Sequence, residues 1–264
     1  MVLCVIGAIS FIFGFKQFHK YSLIKDTPRS KIRSLAMGLV ELHGVVAANE
    51  TIQTPFSRSQ CVYYQYRIEE YRMHTRTDSK GRTTVYYSWD TIASGSRQIP
   101  FFARDDTGDV YIDPRGAEYD VPLKKVFYQH RGGFIGAFST ILTALSDWDK
   151  AKTTEMDIGS WNLQPVKPGH ITWGASVGDR KYYEHYLEPN ENLFLMGTAV
   201  PDRGAPNNVL VRKGEDEPTF IISNKREAGV MKSLKWKMAG LLILACALEV
   251  IGVIVALLSA DVSS

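Results

Sequence analysis

The run "MAGLLILACALEVIGVIVALLSA", Met238–Ala260, sets the tightest limit on what this chain can fold into. It is 23 residues long and carries one charge, Glu249. At a rise of about 1.5 Å per residue, a helix of that length spans a hydrocarbon core of about 30 Å. The sequence therefore predicts a transmembrane helix there. The overall composition, 45% hydrophobic and 22% charged, is ordinary for a globular chain. Segregation of the apolar residues, not their amount, carries the reading.

A shorter apolar run, Val2–Phe15, opens the chain and is followed by Lys16, His19 and Lys20. It falls below the roughly 17 residues of a usual span. Phe18 and Tyr21 extend it if Lys16 and Lys20 snorkel toward the headgroups. A cleaved signal peptide puts its positive charge before the apolar run; here the charge follows, which favours an anchor. Lys25, Arg29, Lys31 and Arg33 continue the basic flank, and Lys225, Arg226, Lys232, Lys235 and Lys237 precede the second run. The positive-inside rule then places the intervening chain in the cytoplasm and both termini outside. Most of the net charge of +3 lies at these flanks. It is expected to set orientation and to meet the lipid bilayer, including anionic head groups, and not nucleic acid.

Glu249 needs a partner, because a carboxyl group in lipid costs roughly 2.5–3.5 kcal/mol on insertion scales. Ala245, Glu249, Gly252 and Ala256 recur at steps of four and three residues and share one helical stripe. Gly252 and Ala256 form a small-xxx-small pair that admits a neighbouring helix. The expected partner is the first apolar segment, a second copy of the chain (a homo-oligomer), or another protein; the alternative is a tolerated glutamate in a single-copy anchor.

Between the two runs the pattern is that of strands. "DTPRSKIRSLAMG" first predicts a short helix: Thr27 caps it, Pro28 suits its first position, Ile32, Leu35 and Ala36 share a face, and Gly38 ends it. Strands are then expected at Leu39–Val46, Cys61–Met73, Thr84–Ile92, Ile99–Arg104, Val110–Ile112 and Lys124–Tyr128. "TDSKGR" turns a hairpin between the second and third of these. Phe134, Phe138, Ile141, Leu145 and Trp148 predict an amphipathic helix over Phe134–Lys150. Further strands follow at Ile171–Val177, Lys181–Leu187 and Leu193–Ala199, and a hairpin pairs Val209–Arg212 with Thr219–Ser223. Asn224 and Glu227 make a capping pair for the last helix.

The expected fold class is α+β: one β-rich domain of antiparallel strands with a few helices, held between two transmembrane helices. The expected boundaries are residues 1–21 for the anchor, 22–234 for the domain, 235–260 for the second span and 261–264 for the tail.

Enzyme motifs are weak. "GASVG", Gly174–Gly178, has the G-x-S-x-G form, but a strand-like stretch follows Ser176 where a nucleophile elbow needs a helix. "DDTGD", Asp105–Asp109, reads as a tight turn, without the twelve-residue loop of an EF-hand. The six histidines show no metal-ligand spacing. Glu69 and Glu70 point to opposite faces of a strand. Cys4 and Cys246 fall in the apolar runs, leaving Cys61 as a buried small residue with no disulfide framework and no zinc spacing. No catalytic residue, metal or cofactor is called for by motif.

"TPRSKIRSLAMGLVELHGVV", "TPFSRSQCVYYQYRIEEY", "IPFFARDDTGDVYIDPRGAEYDVP" and "YYEHYLEPNENLFLMGTA", in that order, resemble the GIDE family. Its eukaryotic branch contains membrane-anchored ubiquitin and SUMO ligases. In those, the resemblance implies, a β-rich domain sits beside the membrane and a RING follows the second span. A RING needs eight Cys or His zinc ligands in paired spacing, and Asp261–Ser264 supply none. The resemblance thus implies the fold and membrane setting of a RING-less, prokaryotic-type member without its transfer chemistry. The expectation is a membrane-anchored, non-enzymatic binding, sensing or scaffold module. The alternatives are a component of an E3 ubiquitin-protein ligase, a hydrolase at Ser176, and a structural subunit of a membrane complex.

Overall fold

The computed structural model describes residues 2–129, 164–166, 175–205 and 208–262; within these, side chains are described over 6–129, 175–205 and 208–252. Helix α1 (Val2–Asp26) leads into β1 (Arg29–Ser30), a 3-10 turn at Ile32–Ser34 and β2 (Gly38–Ala47). The chain continues through β3 (Ile52–Gln53), β4 (Gln60–Cys61), β5 (Tyr63–Thr77), β6 (Thr83–Gln98), β7 (Phe101–Asp105), β8 (Gly108–Ile112), β9 (Glu118–Asp120) and β10 (Leu123–Gln129). After β11 (Gln164–Val166) come β12 (Arg180–Leu187), β13 (Asn192–Pro201), β14 (Val209–Arg212), β15 (Ile221–Ser223) and helix α2 (Glu227–Val262). The β-rich class is as expected, with two helices.

Two compact units divide the chain. The first takes residues 1–47, 102–120 and 191–264; the second takes 48–101 and 121–190.

In the first unit β2 pairs antiparallel with β7 at one end and with β13 along most of its length. β7 joins β8, β8 runs parallel to β14, and β14 returns to β13. These five strands close on themselves into a small barrel, which removes their free edges. β13 is buried without a break from Leu193 to Gly197, because both of its faces are covered. Phe194 and Met196 face a cluster of Ile24 from α1, Ile221 from β15, and Val230 and Leu234 from α2. Their neighbours Leu193 and Leu195 point the other way, as the period of two requires. Gly44 is where β2 crosses β7: a Cβ there would stand 2.9 Å from the Arg104 carbonyl carbon and closer still to its oxygen.

The second unit is a five-stranded sheet, β11-β10-β12-β5-β6, with the small β3–β4 pair beside it. The long β5–β6 hairpin pairs from Tyr63↔Gln98 to Thr77↔Thr83, with a one-residue shift of register between Ile68 and Glu69. Asp78 fixes its turn by accepting from the backbone N–H groups of Lys80 (2.9 Å) and Arg82 (2.8 Å). Phe56, Cys61, Tyr64, Tyr66, Ile68, Tyr182 and Tyr186 form its core.

Several expectations are corrected. The helix after Thr27 is replaced by β1 and the 3-10 turn, because the turn between β7 and β8 captures the amides of Ile32 and Arg33. Ile32 N–H donates to Asp105 (3.1 Å) and Arg33 N–H to the Thr107 hydroxyl (3.1 Å), while Arg29 and Ser30 pair with Glu41 and Leu42. Val209–Arg212 and the strand at Ile221–Ser223 do not form a hairpin; both lie on one edge of β13, one after the other. Asn224 does not cap α2: its amide donates to Glu191 (3.5 Å) and its carbonyl oxygen is buried without a partner. The helix expected at Phe134–Lys150 lies outside the described residues, as does most of Ile171–Val177; residues 175–177 are not strand.

Among the described residues no helix is long and apolar enough to cross a membrane. Described side chains end at Gly252, within the run Met238–Ala260.

Candidate functional site

The two helices belong to the first unit and pack against each other. Gly7 meets Glu249, Gly14 meets Leu241 and Leu242, and Ile24 meets Val230 and Leu234. Partner numbers fall as α1 advances, so the pair is antiparallel. Covered positions include Gly7, Ser10, Gly14, Gln17, Tyr21 and Ile24 on α1 and Val230, Leu234, Met238, Leu241, Leu242, Ala245, Leu248 and Gly252 on α2. From Gly7 to Gln17 the covered positions of α1 step by three and four, as in a two-helix seam.

The expected stripe can now be placed residue by residue. Ala245 is 2% exposed and lies in the seam. Glu249 is largely exposed, yet its Oε1 lies 2.9 Å from where a Cβ on Gly7 would stand. Gly252 is half-buried, and the side chain of Ala256 lies outside the described residues. The close approach is made by Gly7 and Gly14 of α1, which the sequence reading did not single out; their seven-residue spacing was the available signal. Lys20 forms an ion pair with Glu118, whereas Lys16, Lys235 and Lys237 are exposed. Lys232 is exposed as well.

The α1 side of the seam is small and polar from Gly7 to Gln17 and faces leucine and alanine of α2, while the outer faces are large and apolar. Ser10 is buried, and Gln17 has a buried Oε1 without a hydrogen-bond partner. Phe11, Ile12, Phe13 and Phe15 of α1 and Ile243, Val250 and Ile251 of α2 are exposed, Phe15 to 61% and Ile243 to 70%.

A second feature stands near the base of α2. β2 carries Glu41 and His43 two residues apart, hence on one face, and the first turn of α2 adds Glu227. Glu41 is 2% exposed. Its Oε1 lies 2.7 Å from His43 Nε2, and its Oε2 has no hydrogen-bond partner among the described residues. Glu227 Oε2 lies 3.8 Å from the same Nε2. Phe194, opposite His43 in the β2–β13 register, meets the imidazole edge-on at 5.3 Å and holds it. One ligand atom from each of the three residues lies within 4.8 Å of the others, so the set could hold a metal ion. His43 and Glu227 open onto a cleft of about 770 Å³ whose rim carries Arg29, Arg104, Lys225 and Arg226. Arg104 is held by Asp109 and Lys225 by Asp120. Histidine spacing missed this cluster because its members come from opposite ends of the chain; the Glu-x-His pair on one strand was the only local sign.

The remaining candidates are structural. Ser176 is exposed in a turn ahead of β12, with no helix after it. Its N–H donates to the buried Asp179 (2.9 Å), which also accepts from the Tyr128 hydroxyl (2.5 Å). In "DDTGD", Asp105 accepts from the N–H and hydroxyl of Thr107 and closes the turn. Cys61 is fully buried, and burial pushes its thiol up to about 12, which disfavours the thiolate. Glu184, fully buried, accepts from the amides of Phe56 (2.7 Å) and Ser57; burial nonetheless holds its carboxyl above the ordinary range.

Comparison with curated proteins and with solved structures gives no match. The family model described as "GIDE: E3 Ubiquitin ligase" matches residues 70–257, more than two thirds of the chain, and this chain belongs to the GIDE family.

Proposed function

We propose that this chain is a membrane-anchored recognition module of the GIDE family, non-enzymatic in itself, with α1 and α2 inserted together as an antiparallel pair. The observation that carries this reading is the inverted polarity of α1 from Gly7 to Gln17. In water, two helices bury their largest apolar side chains against each other. Here α1 gives the seam Gly7, Ser10, Gly14 and Gln17, opposite Leu241, Leu242 and Ala245 of α2, and its phenylalanines and isoleucines over that stretch face outward. Lipid tails remove the penalty on those outward residues, and small seam residues let the backbones approach, as membrane helices do.

Lys16, Lys20, Lys232, Lys235 and Lys237 lie where the pair would leave the hydrocarbon, and Trp236, 71% exposed, sits among them as an interfacial anchor. Their position supports a cytoplasmic strand-built region and termini on the far side. In the second unit, the outer half of the β5–β6 hairpin exposes Met73, Val85, Tyr86 and Tyr87. Apolar and aromatic exposure of that kind supports binding of a protein partner.

Alkaline carbonate extraction tests the anchor. The protein should stay in the membrane pellet, and a variant with Phe11, Phe15, Ile243 and Val250 changed to Ser should be released. Release of the unaltered protein would overturn the proposal.

A second reading, a component of an E3 ubiquitin ligase, is favoured by the description of the matched family. Ubiquitin transfer supported by the purified chain with activating and conjugating enzymes would establish it over the non-enzymatic reading.

A further inference from the structure

We propose that Glu41, His43 and Glu227 bind one divalent transition-metal ion of the zinc type, which ties the barrel strand β2 to the first turn of α2. The first observation is the donor set: two carboxylates and one imidazole, with ligand atoms within 4.8 Å of one another. The second is the state of Glu41. Its carboxylate is almost wholly buried, and among the described residues Oε2 has no hydrogen-bond partner. A buried carboxylate with half of its acceptor capacity unused is costly unless a positive group meets it. Arg29 stands opposite Glu41 in the β1–β2 register but leaves Oε2 unbonded. His43 offers one positive charge at most, and only when protonated, shared between two carboxylates; a divalent ion supplies two.

The geometry is within reach of coordination. Ligands about 2.0–2.1 Å from a tetrahedral zinc ion lie roughly 3.3 Å apart. The Glu41–His43 separation of 2.7 Å would open slightly and the Glu227–His43 separation of 3.8 Å would close slightly. Small rotations of two flexible glutamate side chains accomplish both. Imidazole in the set selects zinc, cobalt or a similar ion over calcium and magnesium, which take oxygen ligands. Three protein ligands leave a fourth position, which opens on the cleft beside His43 and Glu227.

The test uses the full chain in mild detergent, without a histidine tag and after dialysis against a chelator. Titration with Co²⁺, read by its visible absorption, and with Zn²⁺, read by calorimetry, should each saturate at one equivalent. Zn²⁺ should also raise the thermal midpoint by several degrees, since it binds only the folded site. Glu41→Gln and His43→Ala should weaken binding at least tenfold and abolish the thermal shift. Glu227→Gln, at a more exposed position whose loss leaves the fold intact, should weaken binding by itself. Absence of saturable binding, or binding unchanged in Glu227→Gln and His43→Ala, would overturn the proposal.

Discussion

Replacing Gly44 by Ala tests the closure of the barrel. The added Cβ would lie 2.9 Å from the Arg104 carbonyl carbon, against the 3.4 Å and more of ordinary contacts, and its overlap with the oxygen is worse. The obstacle is backbone, so no side chain can rotate away. Arg104 is also fixed by pairing with Val45, and Gly44 itself by pairing with Leu193 on the other edge of β2. The strands must therefore separate by roughly half an ångström or more in a region that is paired on both sides. Overpacking of this kind typically costs about 1–3 kcal/mol, and a backbone clash belongs at the upper end, about 2–3 kcal/mol. For a chain of this size each kcal/mol moves the thermal midpoint by about 2–4 °C, so the first unit should melt roughly 5–10 °C lower. Near-UV circular dichroism in detergent reads the transition. Gly204→Ala is the control, because its Cβ would meet only Asp202 Oδ1 at 3.6 Å. If Gly44→Ala melts within about 1 °C of this control, β2 and β7 do not cross as described.

Glu184 gives stability an unusual pH dependence. Its carboxyl is held above the ordinary 4.5 chiefly by burial, against the opposing pull of Ser57 and Phe56. The folded state therefore binds this proton more tightly than the unfolded state. The contribution is fully present below 4.5 and is lost as pH rises through the raised folded value. Urea midpoints for Glu184→Gln should lack that component, and a pH profile parallel to the unaltered protein would contradict it. Asp179→Ala should cost about 2–3 kcal/mol, because it removes the carboxylate that accepts from the Ser176 amide and the buried Tyr128 hydroxyl. Ser176→Ala, at an exposed side chain, should stay within about 0.5 kcal/mol; equal losses in the two variants, read by urea unfolding, would refute this assignment.

By itself the sequence determined the two apolar end segments, the β-rich middle, and the individual strands wherever alternation was strong. β12 and β13 fall within a residue or two of expectation, and the hairpin around "TDSKGR" forms because Asp78 and Gly81 supply the turn chemistry locally. Only the tertiary structure decided which edges meet. Alternation reports that a face is covered and is silent about what covers it, so β2 pairing with β13, and β14 and β15 sharing one edge, were not legible. The short helix after Thr27 had sound local signals and was overridden by Asp105 and Thr107, which are remote in sequence and offered its amides better partners. The candidate site was lost for the same reason. His43 looks solitary along the chain and gains its carboxylates only when β2 turns Glu41 inward and α2 starts beside it with Glu227. Glu249 was visible as an anomaly from the start, but its neighbour Gly7 became visible only when the two ends of the chain packed together.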